Sequence, residues 1–150
     1  MTTVKDVLAF LDGKAPLDTQ LSFDNAGFLC GREDAPVTRI LVSLDITDAV
    51  IAEAVEYGAG LIVSHHPVCF TPMKSVTTGD LTGRKFVAML EHGLSAICMH
   101  TNLDAAQDGV NDALCAALGA ENLGLLDPEN DGISRLCRLS EPEDFTAFLA

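Results

Sequence analysis

Two adjacent histidines, His65 and His66, stand between Ser64 and Pro67 at the end of the apolar run Gly60-Leu61-Ile62-Val63. A second segment, His100-Thr101-Asn102-Leu103-Asp104, follows another apolar run over residues 94–99. Three of the chain's four histidines and one carboxylate thus fall just after strand-like runs. In open α/β sheets, ligands bind at the carboxyl ends of strands. Two or three imidazoles with a carboxylate suit a borderline divalent ion such as zinc, iron, manganese, cobalt or nickel. Magnesium or calcium would want more oxygen ligands.

The histidine pair sets a geometric condition. Neighbouring side chains in a straight strand point to opposite faces, so His65 and His66 cannot share one ligand while the strand continues. Pro67 holds His66 in an extended conformation and ends pairing. Either the chain turns there and both rings face one crevice, or each ring addresses a different metal of a pair. Asp104 follows His100 by four residues, so one helical turn would bring them to the same side. Asp104 can alternatively cap a following helix.

These residues need a scaffold. Val4, Val7, Leu8 and Leu11 mark one face of a helix, closed by Gly13 and Pro16. Residues 26–30 read as a strand ended by Gly31. The run Ile40-Leu41-Val42 reads as a strand buried on both faces, as in parallel sheets. Thr47 can cap a helix over 48–57 with Ile51, Ala54 and Val55 inward, stopped at Gly58. Residues 61–63 are then the second strand of a βαβ unit with a right-handed crossover. Residues 67–82 form a loop directly after the histidine pair. Phe86, Met89 and Leu90 mark a helix, residues 94–99 a strand, and Val110, Leu114 and Leu118 another helix. Residues 133–139 read as a last strand, and residues 145–150 as the first turns of a short helix.

Softer candidates have plainer readings. Asp45 can accept a hydrogen bond from an imidazole N–H, but a helix cap is favoured. Asp24-Asn25-Ala26-Gly27 reads as a turn. Arg84 and Lys85 could meet a phosphate, but a solvated helix face is favoured. His92 precedes Gly93 at a helix end, where its charge suits the dipole. The sequence has no P-loop, dinucleotide-binding or nucleophile-elbow motif.

Composition bounds the rest. The 150 residues suit one α/β domain, and 48% hydrophobic content supports a real core. A net charge of −13 argues against direct binding to nucleic acid or an anionic membrane, where lysine and arginine supply affinity. The odd set of five cysteines, with no C-x-x-C pair, suits reduced thiols in a cytoplasmic protein. No run approaches the ~20 apolar residues of a transmembrane helix.

Ser64-His65-His66-Pro67, Gly83-Arg84, the His100–Asp104 block and Gly109-Val110-Asn111-Asp112 closely resemble the dinuclear metal-centre family. Its members are labelled GTP cyclohydrolase I type 2 homologues or YbgI-like proteins. The segment from Phe23 to Phe28 resembles the family's W-D-N-x-G-L, with Phe23 in place of Trp. The resemblance implies a three-layer α/β sandwich with a mixed, largely parallel sheet and flanking helices. It implies two divalent metals, held in part by His65, His66 and Asp104, with His100 lining the site. In a hydrolase, His100 is the catalytic candidate for a proton shuttle, since a free imidazole titrates near neutrality. It also implies a homohexamer and a metal-dependent hydrolase acting on a nucleotide or another small molecule. The rival reading is a non-catalytic metal-binding, metal-delivery or scaffold protein. The family's later H-x-x-x-E segment has no counterpart here, since no histidine follows His100. The chain is therefore expected to be the N-terminal part of a longer two-part protein, with the remaining ligands beyond Ala150.

Overall fold

The computed structural model describes residues 1–129 and 131–149. The chain divides into two compact units, Met1–Leu103 and Asp104–Ala150.

The first unit is built on a four-stranded sheet. Its strands are β1 (Gly27–Cys30), β2 (Ile40–Ser43), β3 (Leu61–Ser64) and β4 (Ser95–Cys98), in the order β1-β4-β3-β2. β2, β3 and β4 run parallel, and β1 closes the edge antiparallel to β4. The sheet is therefore mixed and largely parallel, with helices flanking it. β3 and β4 lie side by side, which brings the residues after Ser64 next to those after Cys98.

Local signals explain the helices. α1 (Val4–Asp12) starts in a capping box: Thr3 accepts from the Asp6 amide, and Asp6 accepts from the Thr3 amide. α2 (Asp48–Tyr57) is capped by the Thr47 hydroxyl and ended by Gly58, at φ +69°. α3 (Leu81–Glu91) is capped by Asp80, which accepts from the Gly83 amide. Ile51, Ala54, Phe86 and Met89 from α2 and α3 pack with Ile62, Ala96 and Cys30 into the main core. On the other side of the sheet, Leu11, Ala15, Val63 and Met99 line an apolar cavity of about 300 Å³.

Three expectations change. β2 is an edge strand, and Val42 is 77% exposed, so it is not buried on both faces. Val42 lies at the rim of the apolar cavity lined by Leu11 and Ala15, where the edge of the sheet stays open to solvent. Val55 and Leu90 are exposed, leaving Ile51, Ala54, Phe86 and Met89 as the inward residues of their helices. The loop after the histidine pair gives way to α3 at Leu81.

α4 (Thr101–Ala105) leads into the second unit, which holds α5 (Val110–Ala117) and an antiparallel hairpin of β5 (Ala120–Asp127) and β6 (Asp131–Leu139). A short helix, α6 (Phe145–Phe148), is capped by Asp144. Arg135 organises this unit. Its guanidinium donates to the Asp112 carboxylate at 2.6 Å and to the carbonyls of Ala105, Ala106 and Ile133. That ion pair holds the Asp112 carboxyl below its usual range. Here Cys115 is the buried residue of α5, while Val110, Leu114 and Leu118 are exposed. The Cys115 and Cys137 sulfurs approach to 2.7 Å as free thiols.

Candidate metal centre

The strand exits build the site. The amides of His65 and His66 still donate to the carbonyls of Ser43 and Leu44, so the chain leaves β3 attached to its neighbour. The buried Ser64 hydroxyl donates to the His66 carbonyl at 2.8 Å, closing a bend. The Cys98 thiol donates to the His65 carbonyl at 3.0 Å. The bend breaks the strand's alternation and brings the two rings together, with centroids 5.0 Å apart. Burial pushes the Cys98 thiol up to about 12, so it serves here as a neutral donor.

His100 leaves the neighbouring strand. Asn102, fully buried, fixes this turn: its side-chain oxygen accepts from the His100 amide, and its amide donates to the Ala15 carbonyl. The His100 ring centroid lies 5.2 Å from that of His65 and 5.7 Å from that of His66. One donor atom from each ring lies within 4.8 Å of the other two.

Each ring is oriented by its Nδ1. His65 Nδ1 meets the Met99 carbonyl at 3.0 Å, His66 Nδ1 the Asp45 carboxylate at 2.8 Å, and His100 Nδ1 the Asp24 carboxylate at 2.8 Å. Carbonyls and carboxylates only accept, so all three Nδ1 atoms must donate. In a neutral imidazole the lone pair then resides on Nε2. Three imidazoles share one tautomer around a small space.

Sequence reasoning understated two carboxylates. Asp45 accepts from His66, and Thr47 caps α2 in its place. Asp24, read as a turn residue, is the most elaborately bound carboxylate of the site. Its side chain is buried and accepts from His100, from the Asn25 amide, and from both the amide and hydroxyl of Thr101. Burial alone would raise this carboxyl, but those hydrogen bonds carry it below its usual value. Its local sequence reads as an ordinary Asp-Asn turn because its partners lie 76 and 77 residues away, and only the resemblance to W-D-N-x-G-L marks it. Arg84 pairs with Asp48 at 2.7 Å on an exposed surface, and His92 is the C-terminal cap of α3. Asp104 lies on α4 at the start of the second unit and is not one of the three grouped donors.

A groove of about 550 Å³ opens beside Asp24, the carboxylate that holds His100. Its lining includes Asp24, Asn25, Phe23 and Phe70, and the Phe70 ring stands edge-on to His100, with centroids 6.1 Å apart. No helix among the described residues is long and apolar enough to cross a membrane.

Comparison with known proteins bears on the family and the fold. Residues 2–150 match the family model Duf34/NIF3 (NGG1p interacting factor 3). A Clostridium perfringens protein named GTP cyclohydrolase 1 type 2 homolog is 34% identical over 142 residues, covering 92% of this chain and 54% of the relative. The crystal structure of Staphylococcus aureus protein SA1388 matches with a TM-score of 0.78 and 37% identity, over 83% of this chain and 36% of that one. Reduced HcgD from Methanocaldococcus jannaschii matches with a TM-score of 0.76 and 28% identity, over 84% and 50%. The chain thus spans between about a third and a half of the length of these relatives. By sequence and by fold, the chain belongs to the Duf34/NIF3 family.

Proposed function

We propose that His65, His66 and His100 bind a divalent metal ion through their Nε2 atoms, and that the metal-loaded protein is a hydrolase. The observation that carries this reading is the shared tautomer: three Nδ1–H groups are each anchored to an oxygen, around donors within 4.8 Å of one another. Metal-binding histidines characteristically donate their other nitrogen to a carboxylate or carbonyl. Zinc–nitrogen bonds of about 2.1 Å place tetrahedral ligands roughly 3.4 Å apart, within reach of small ring rotations. Asp104 is the proposed carboxylate ligand. In longer relatives, further chain would supply the ligands for a second ion, and self-assembly into a hexamer belongs to the same reading.

A divalent ion bound here would supply Lewis acidity and a water acidic enough to ionise near neutral pH. The protein's own part is positioning. Asp45 and Asp24 hold their imidazoles in the ligating tautomer and orientation. Once His100 Nε2 is a ligand and Nδ1 donates to Asp24, that ring has no nitrogen left to shuttle protons. We therefore assign His100 as the third nitrogen donor. The relatives' name points to hydrolysis at a purine carbon, and phosphoester hydrolysis is the nearest competing chemistry.

The test is elemental analysis of the purified protein before and after zinc reconstitution, followed by assays with GTP and a generic phosphodiester, with and without chelator. Bound metal with chelator-sensitive turnover supports the proposal. Bound metal with no turnover on either substrate would replace the hydrolase with a metal-carrying role. A reconstituted protein without metal would overturn both. His100→Gln separates ligand from shuttle: a ligand role predicts weaker metal binding, whereas a shuttle role predicts intact binding with lost turnover.

A further inference from the structure

We infer that the groove beside His100 holds a flat, uncharged aromatic ring of the substrate next to the three histidines. Phe23 and Phe70 form an aromatic corner at its mouth, with ring centroids 6.1 Å apart and planes tilted by 44°. Both rings are markedly exposed, Phe23 at 62% and Phe70 at 47%. Exposed aromatic rings offer large apolar area and stacking faces that favour another ring. The floor differs from the mouth. Phe86 is buried in the main core, and Met73 packs against it, so the corner stands on fixed structure.

Size and charge narrow the occupant further. A volume of about 550 Å³ is in the range of small-molecule sites. The groove is lined by no lysine or arginine. Its one carboxylate, Asp24, already accepts from His100 and Thr101. Asn25 spends its amide nitrogen on the Cys69 carbonyl at 2.9 Å, which leaves its amide oxygen as an acceptor at the groove. A neutral ring carrying an N–H or O–H donor satisfies this lining, while an ionised group finds no counter-charge in it. Two lining residues also touch His100: the Phe70 ring stands edge-on to it and Asp24 accepts from its Nδ1, so the groove lies next to a proposed metal ligand.

This inference rests on the metal reading for what lies next to the bound ring, and the experiment separates the two. Zinc-loaded protein is titrated by calorimetry with acetohydroxamate and with benzohydroxamate, which share a metal-binding group and differ in the ring. The expected result is at least about tenfold tighter binding of benzohydroxamate. Phe23→Ala should bring that ratio close to one while leaving acetohydroxamate binding unchanged. Phe23 is exposed, so its removal leaves the fold intact. Equal affinities in the unsubstituted protein would overturn the inference, as would an unchanged ratio in Phe23→Ala. If zinc does not bind, the metal reading fails, and the groove is tested alone. Naphthalene-2-carboxamide should then shift the side-chain NMR signals of Phe23, Phe70 and Met73. Unmoved signals at millimolar probe would overturn the groove as well.

Discussion

Asp24 and Asp45 hold equivalent bonds to histidine in unequal surroundings. The Asp24 side chain is fully buried, whereas Asp45 and His66 are about half exposed. Water can replace Asp45 but not Asp24. Asp24→Ala strands the Thr101 amide and hydroxyl along with His100 Nδ1, and should cost about 3 kcal/mol of stability in chemical denaturation. Asp24→Asn should weaken zinc binding by roughly 10- to 100-fold, the usual cost of losing a partner that orients a ligand. Asp45→Asn should sit at the lower end of that range or below it. The depressed Asp24 carboxyl also sets a sign for pH. Its stabilisation is present above the ordinary carboxylate range near pH 4 and is lost as pH falls through the lower folded value. Denaturation midpoints measured from pH 5 to pH 2 should fall less steeply in Asp24→Ala. The histidines themselves were legible in the sequence, because H-H-P after an apolar run is a distinctive local pattern. Asp45 reads as an imidazole partner ranked below a helix cap, and Asp24 reads as a turn, since an Asp in a turn declares nothing about a contact made 76 residues later.

At the scale of elements, strand exits were readable, and sheet edges were not. Apolar runs and glycine stops gave β3, β4 and the helices between them, but the run at β2 could not announce that it lies at an edge with Val42 exposed. β5 went unread because Gly124, at φ +119°, interrupts its apolar run at an irregularity in the pairing register. β1 depends on a glycine for a steric reason. Gly31 has φ +103°, and a Cβ there would stand 2.3 Å from Ser95 Oγ and 2.6 Å from Ser95 Cα. Gly31→Ala should therefore destabilise the protein by about 2–4 kcal/mol, combining backbone strain with overpacking against β4. Thermal denaturation measures it. In the second unit, Arg135→Lys should fail to restore what Arg135→Ala loses. A lysine cannot serve Asp112 and three carbonyls with one planar fork. Protection of the β5–β6 amides in hydrogen exchange would report the loss in both variants.

At the scale of the whole molecule, family membership and the three-histidine group rest on separate observations. The first comes from the match over residues 2–150, and the second from the geometry of two adjacent strand exits. The relatives extend well beyond the length of this chain, and that extra length is where the proposed second metal would find its ligands. The claim that belongs to these 150 residues is narrower: three imidazoles, all protonated at Nδ1, present Nε2 to one ion. Long-range proton–nitrogen NMR of the histidine rings during a zinc titration tests it most directly. His65, His66 and His100 should begin as Nδ1–H tautomers, and their three Nε2 signals should move together, saturating at one zinc per chain, while His92 stays still. Nε2 signals that remain in place through excess zinc, or zinc uptake that shifts only His92, would contradict it.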